Sequence, residues 1–243
     1  MAEQFKGRTV LVTGANGGLG EEFVRQALTR GAARVYATAR RPRLWEDARI
    51  VPLTLDLTDP ASVRAAAAAA PDVDLLVNNA AIAPGDDTSM LAQDEETSRR
   101  VLETNFFGTL RVAKAFAPVL AAQGGGAMLN VLSLSAWLPL PTAYAASKAA
   151  TWSLTNALRT ELAAQGTAVT GLLVGLIDTP MSAGWELPKV SPASVVEQAY
   201  DGIAAGSFEV LADDETRLIK SLLSGSAEDL DAAVAQVLSG VES

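Results

Sequence analysis

Short apolar, β-branched runs alternate with longer helical stretches along the whole chain, and this alternation restricts the possible folds more than any other feature. The strand-like runs are Arg8–Thr13, Arg34–Ala39, Ile50–Asp56, Val73–Asn78, Ala127–Leu132, Ala168–Val174 and Phe208–Leu211. The early runs are nearly continuous in apolar residues, the pattern of strands covered on both faces. Helical patterns fill the intervals at Leu19–Arg30, Ala61–Ala70, Asp94–Gln123, Ala143–Gln165 and Ser194–Ala205. Alanine is the best helix former and Pro71 ends the run Ala65–Ala70, so that run belongs to a helix. Strand–helix–strand repetition gives right-handed crossovers, and hence an α/β fold: a doubly wound parallel sheet of about seven strands with helices on both faces. The 243 residues suit a single domain spanning 1–243. After Asp213 the pattern turns helical again, so 214–243 reads as a helical C-terminal extension used for packing or subunit contact.

The chain has no histidine and no cysteine. This removes histidine-based triads, thiolate nucleophiles and imidazole or thiolate metal sites, and no metal is expected. Acid–base chemistry is left to Tyr, Lys, Asp, Glu or a hydroxyl. The formal net charge of −9 is unsuited to phosphate-rich or anionic surfaces, so neither nucleic acid nor membrane is an expected partner. Met1–Gly7 is polar, and no apolar run approaches the roughly 20 residues of a membrane span. These features predict a soluble cytoplasmic protein.

The first strand runs directly into Thr13-Gly14-Ala15-Asn16-Gly17-Gly18-Leu19-Gly20, and a helix follows. In a doubly wound sheet a dinucleotide lies at this point, because glycines let the backbone approach phosphate oxygens and the helix start supplies free N–H groups. The second strand ends in Ala39-Arg40-Arg41, where an NAD-binding chain usually places a carboxylate for the ribose 2′-hydroxyl. Guanidinium groups there pair with a 2′-phosphate, which favours NADP(H).

Tyr144 and Lys148 stand four residues apart at the start of a long helical pattern and share one face. A phenol has a pKa near 10, and a close ammonium favours its ionised form, so this pair predicts a phenol shifted downward. Ser133 lies at the carboxyl end of a strand, where open α/β sheets place ligands.

The spacing Thr-Gly-x-x-x-Gly-x-Gly, the segment Asn78-Asn79-Ala80-Ala81, Asn105 within Glu103–Gly108, and Asn130–Ser133 followed by Tyr144–Lys148 together resemble the short-chain dehydrogenase/reductase family. The resemblance covers most of the chain and implies a Rossmann-type fold and NADP(H)-dependent oxidoreduction. It implies a catalytic set of Asn105, Ser133, Tyr144 and Lys148. Ser133 would hold the carbonyl oxygen and Tyr144 would exchange the proton. Lys148 would depress the Tyr144 pKa and bind the nicotinamide ribose, and the Asn105 backbone would anchor a relay water. Cofactor contacts are implied at Gly14, Asn16, Gly17, Gly18, Leu19, Gly20, Arg40, Asp56, Leu57, Asn79, Ala80, Tyr144, Lys148, Gly175 and Thr179. Asp56 would meet the adenine, although it can also serve as a turn residue ahead of Asp59-Pro60.

Three features depart from the family pattern. Ala81 replaces a glycine, Val174-Gly175 stands where Pro-Gly is common, and the Ser-to-Tyr loop is short, which leaves Ser135 as an alternative to Ser133. Ile82, Trp137, Leu138, Leu140, Leu176, Met181 and Trp185 are candidate pocket residues, and 179–191 would form a short substrate lid. They point to a small hydrophobic carbonyl or alcohol substrate: a ketone, an aldehyde or a secondary alcohol. The resemblance also implies pairing of the helical stretches 94–123 and 143–165 between subunits, and hence a homodimer or homotetramer, which apolar faces on both stretches permit. Two other readings compete. One is a non-catalytic NADP(H)-binding sensor or scaffold, and the other a nucleotide-binding methyltransferase, in which the Tyr-Lys pair would have no use.

Overall fold

The computed structural model describes residues 4–85 and 89–239, with side chains up to residue 237; positions 240–243 of the C-terminal extension lie outside the described residues. Seven strands, β1 (Thr9–Thr13), β2 (Arg34–Ala39), β3 (Ile50–Thr54), β4 (Leu75–Asn78), β5 (Ala127–Val131), β6 (Ala168–Leu173) and β7 (Glu209–Leu211), form one sheet in the order β3-β2-β1-β4-β5-β6-β7. Every neighbouring pair is parallel, with Val10 opposite both Val35 and Leu75, and Asn78 opposite Asn130. The helices are α1 (Gly18–Thr29), α2 (Pro60–Ala69), α3 (Glu95–Leu102), α4 (Thr109–Ala122), α5 (Ala143–Glu161), α6 (Pro192–Ala204), α7 (Asp214–Leu222) and α8 (Ala227–Ser239).

Strand side chains alternate between two helical layers, because successive Cβ atoms point to opposite faces. On β1, Val10 and Val12 pack with Phe23 and Val24 of α1 and Val195, Val196 and Tyr200 of α6, whereas Leu11 packs with Val63, Val112, Phe116 and Leu158 on the other face. A third cluster joins Leu132, Leu134, Trp137 and Leu173 to Ile219 of α7 and Val234 of α8. Helices α7 and α8 therefore cover the carboxyl ends of β5 and β6. The strand order reverses between β1 and β4, and the crevice beyond their carboxyl ends is where doubly wound sheets bind ligands.

One predicted helix differs in kind. The stretch 94–123 is divided by a π-helical turn, Glu103–Gly108, with Asn105 inside it. A π turn inside an α-helix releases backbone groups from the regular ladder and often marks a functional position.

Candidate active site

The glycine turn is fixed from below by the end of β4. The Thr13 hydroxyl accepts the N–H groups of Asn79 and Ala80 at 2.9 and 3.0 Å, while the Asn79 amide donates to the Thr13 carbonyl at 2.8 Å. Gly14 has φ +69° and lies so close to Ala80 that a Cβ would sit 3.1 Å from it. A Cβ on Gly20 would fall 2.1 Å from the Gly14 carbonyl oxygen, so the turn and the helix can approach only through glycine. Gly17 is the opposite case, with no atom within 4 Å of a Cβ built there.

Helix α1 starts from Gly17 with no side-chain cap. By contrast, Asp59, Asp94, Thr142, Ser191, Asp213 and Ser226 cap α2, α3, α5, α6, α7 and α8. The first turn of α1 has no side-chain cap and Gly17 before it is open, a cradle suited to an anionic diphosphate.

Asn16 joins this turn to the loop after β2. Its amide donates to the Arg41 carbonyl at 2.8 Å and its oxygen accepts the Arg43 N–H at 3.3 Å. Arg43 is engaged, with Glu21 at 2.7 Å and the Trp45 ring at 3.9 Å. Arg40 and Arg41 are exposed and have no ion-pair partner among the described residues. Asp56 accepts the Thr58 N–H and hydroxyl at 2.9 and 2.7 Å; these bonds, with the Arg40 charge, hold its carboxyl below the usual range. The turn role thus occupies one Asp56 oxygen. Leu57 is buried, and its carbonyl accepts Arg111.

The candidate reacting groups meet where β5 gives way to α5. Ser133 leaves the strand in extended conformation, its hydroxyl accepting the Ser135 N–H at 3.1 Å and hydrogen-bonding the Tyr144 phenol. The Ser135 hydroxyl is buried without a hydrogen-bond partner, so Ser133 is the serine that meets Tyr144. Lys148, 4% exposed, donates from Nζ to the Val131 carbonyl at 2.8 Å and stands 5.5 Å from the centre of the Tyr144 ring. Burial lowers its pKa to about 8. The phenol does not follow the sequence expectation: burial raises the Tyr144 pKa, against a downward pull from Ser133. The Lys148 ammonium gives its hydrogen bond to Val131 and not to the phenol.

Asn105 is 2% exposed. Its side chain accepts the Ile82 N–H at 2.8 Å and donates to the Ile82 carbonyl at 2.9 Å and the Ser147 hydroxyl at 3.0 Å. Its carbonyl accepts the Thr109 hydroxyl at 2.8 Å, while the Thr151 hydroxyl, 3.3 Å away, donates to the Ser147 carbonyl at 2.7 Å.

After β6, Gly175 donates its N–H to a carboxylate oxygen of Asp213 at 2.6 Å. Thr179 comes back to the glycine turn, its methyl 3.6 Å from a Cβ placed on Gly18. The base of 179–191 is closed by a parallel bridge between Ile177 and Val190. The candidate pocket residues divide. Ile82, Leu140 and Leu176 are half-buried, and Met181 and Trp185 are 52% and 56% exposed. Trp137 instead packs edge-on to Trp152 at 5.9 Å within the third cluster, with Leu138 against it, so both serve the core beneath α7 and α8. Thr13 and Asp213 received no role from sequence. A hydroxyl at a strand end and an Asp-Asp pair opening a helix were the available signals.

No group of three or more metal-ligating side chains occurs among the described residues, and no described helix is long and apolar enough to cross a membrane. The fold and crevice define a nucleotide-binding α/β protein of the doubly wound class. The family model described as short chain dehydrogenase matches residues 8–189, and the chain belongs to that family of oxidoreductases. A short chain dehydrogenase from Burkholderia cenocepacia, solved in complex with NADP, is 36% identical and superimposes with a TM-score of 0.87 over 97% of this chain and 99% of that one. Galactitol 2-dehydrogenase (L-tagatose-forming) of Cereibacter sphaeroides is 33% identical over 189 residues, 72% of this chain and 74% of the relative. The 1-deoxy-11-beta-hydroxypentalenate dehydrogenase of Streptomyces exfoliatus is 29% identical over 233 residues, 87% of this chain and 85% of the relative.

Proposed function

We propose that this protein is an NADP(H)-dependent carbonyl reductase or alcohol dehydrogenase, acting reversibly on a small hydrophobic ketone, aldehyde or secondary alcohol. The observation that carries this reading is the meeting of Ser133, Tyr144 and Lys148 at the carboxyl end of β5, next to the strands that form the glycine cradle. Gly14, Gly17, Gly18, Leu19 and Gly20 would take the diphosphate, and Arg40 with Arg41 the 2′-phosphate. Asp56, Leu57, Asn79 and Ala80 would lie along the adenosine, and Gly175 and Thr179 beside the nicotinamide. When bound, the nicotinamide supplies or accepts the hydride.

Ser133 donates a hydrogen bond to the carbonyl oxygen, and Tyr144 gives that oxygen a proton during reduction and takes it back during oxidation. Such positioned donors stabilise the developing alkoxide. Lys148 places its positive charge beside Tyr144 and binds the ribose. Asn105 holds Ile82 and Ser147 in place beside the pair, and its carbonyl is the anchor for a relay water. Residues 179–191 form the lid, with Met181 and Trp185 offering apolar surface to the substrate, and α7 and α8 belong to the same single domain. Assembly through the outer faces of α3–α4 and α5 into a homodimer or homotetramer, and a cytoplasmic location, belong to the same proposal.

The test is consumption of reduced nicotinamide with a panel of prochiral ketones and aldehydes, run with NADPH and NADH side by side. Turnover of apolar carbonyls with NADPH is expected. NADPH binding with no turnover of any of them would favour the sensor reading.

A further inference from the structure

Helix α7 lies beyond the segment matched by the family model, yet it reaches both loops that meet at the crevice. Asp213, 6% exposed, is the hinge of that contact: one carboxylate oxygen accepts the Thr216 N–H at 2.7 Å and caps α7, and the other accepts the Gly175 N–H at 2.6 Å. Near its far end Lys220 sits 4.8 Å from the Trp137 ring and 5.7 Å from the Trp152 ring, and pairs with Glu209 at 2.7 Å. Trp137 follows Ser133 by four residues, so the same helix touches the loop after β5 and the loop after β6. These two loops are themselves tied, because Leu134 donates its N–H to the Val174 carbonyl at 2.8 Å.

We infer that Asp213 is a positioning residue for the nicotinamide end of the site, acting through the Gly175 N–H. The loop from Gly175 to Thr179 begins at Val174, where no ring restrains the backbone, and a non-proline residue leaves φ free to vary. A buried carboxylate bonded to the first glycine N–H supplies the missing restraint, since charge-assisted hydrogen bonds are short and directional. A carboxylate suits both contacts at once, because its two oxygens serve two backbone donors on separate elements. The loop in turn ends with Thr179 beside Gly18, at the edge of the glycine cradle.

This inference rests on the proposed NADP(H) reading, and the test separates the two. The variant Asp213→Ser keeps a hydroxyl that caps α7 but lacks a second acceptor for Gly175, so its melting temperature should stay close to that of the unaltered protein. Titration with NADPH should show affinity reduced about tenfold, with changed fluorescence of the bound nicotinamide. Binding of adenosine 2′,5′-bisphosphate, which has no nicotinamide, should be unchanged. Equal losses for both ligands, or no change in either, would overturn the positioning role. Failure of the unaltered protein to bind NADPH would overturn the functional reading, and this inference with it.

Discussion

Lys148 lies one helical turn beyond Tyr144 on α5, its Nζ 5.5 Å from the centre of the Tyr144 ring and 2.8 Å from the Val131 carbonyl oxygen. The ammonium is thus held by the last residue of β5, and the phenol by Ser133, two residues further along. The pair can serve proton transfer without any histidine. Replacing Tyr144 by Phe removes the only proton the ring can exchange and little of its packing. Turnover should fall about 10²- to 10⁴-fold, while NADPH affinity stays within a few-fold. Steady-state rates combined with nucleotide titration check both parts.

The buried ammonium makes a second, pH-dependent statement. Burial lowers the Lys148 pKa from 10.5 to about 8, so between these values the unfolded chain holds a proton that the folded chain has released. Stability should therefore rise with pH across this window, and the cost of burying the charge is fully present below it. Lys148→Met should flatten that part of the stability profile, measured by denaturant unfolding at several alkaline pH values.

Arg40 and Arg41 project from a loop that Asn16 fixes to the glycine turn, and Arg43 is occupied with Glu21 and Trp45. Replacing Arg40 and Arg41 together by Ala should weaken NADPH about 10- to 100-fold, the value of one or two hydrogen bonds to a charged group, and leave NADH nearly unaffected. Isothermal titration with both nucleotides checks the ratio.

The sheet was legible because its signals are local. Arg34–Ala39 is the same strand in sequence and structure, since β-branched continuity and buried helical cover agree there. The Tyr144–Lys148 face was likewise fixed by helical spacing. What local patterns could not show depends on contacts across the chain. Trp137 reads as a candidate pocket residue for its apolar ring, but Trp152 and Lys220 draw it into the core under α7. Asn105 is picked out by its motif, but the spacing of 94–123 reads as one continuous helix and does not show the π turn Glu103–Gly108 around it. The Tyr144 pKa moved up because burial is a property of the assembled fold, which spacing alone does not measure.

Asp74 illustrates a polar residue that works against the fold. It lies where β4 begins, with Arg8 at 3.8 Å and one carboxylate oxygen buried without a hydrogen bond. Burial raises its pKa above 3.8, with opposing pulls from Arg8 and the Thr9 N–H. The folded chain then holds the proton more tightly than the unfolded chain, so stability falls as pH rises through the range just above 3.8. Asp74→Asn should leave the protein at least as stable at neutral pH, by up to roughly 1 kcal/mol, with the advantage shrinking in acid. Thermal melts at neutral and acidic pH measure this.

Gly17 and Gly20 separate what the cradle does for binding from what it does for folding. Gly17 has φ −179°, extended backbone open to any residue, and nothing within 4 Å of an added Cβ. Gly17→Ala should therefore fold with nearly unchanged stability, but its methyl occupies the surface over which the diphosphate would lie. NADPH affinity should drop about tenfold or more while the melting temperature is preserved. Gly20→Ala places a methyl 2.1 Å from the Gly14 carbonyl oxygen, and the turn cannot retreat while Asn79 holds Thr13. That variant should lose several kcal/mol of stability together with nucleotide binding. If Gly17→Ala instead kept full NADPH affinity, the diphosphate could not lie against this turn, and the assignment of the cradle would be wrong even with the fold intact.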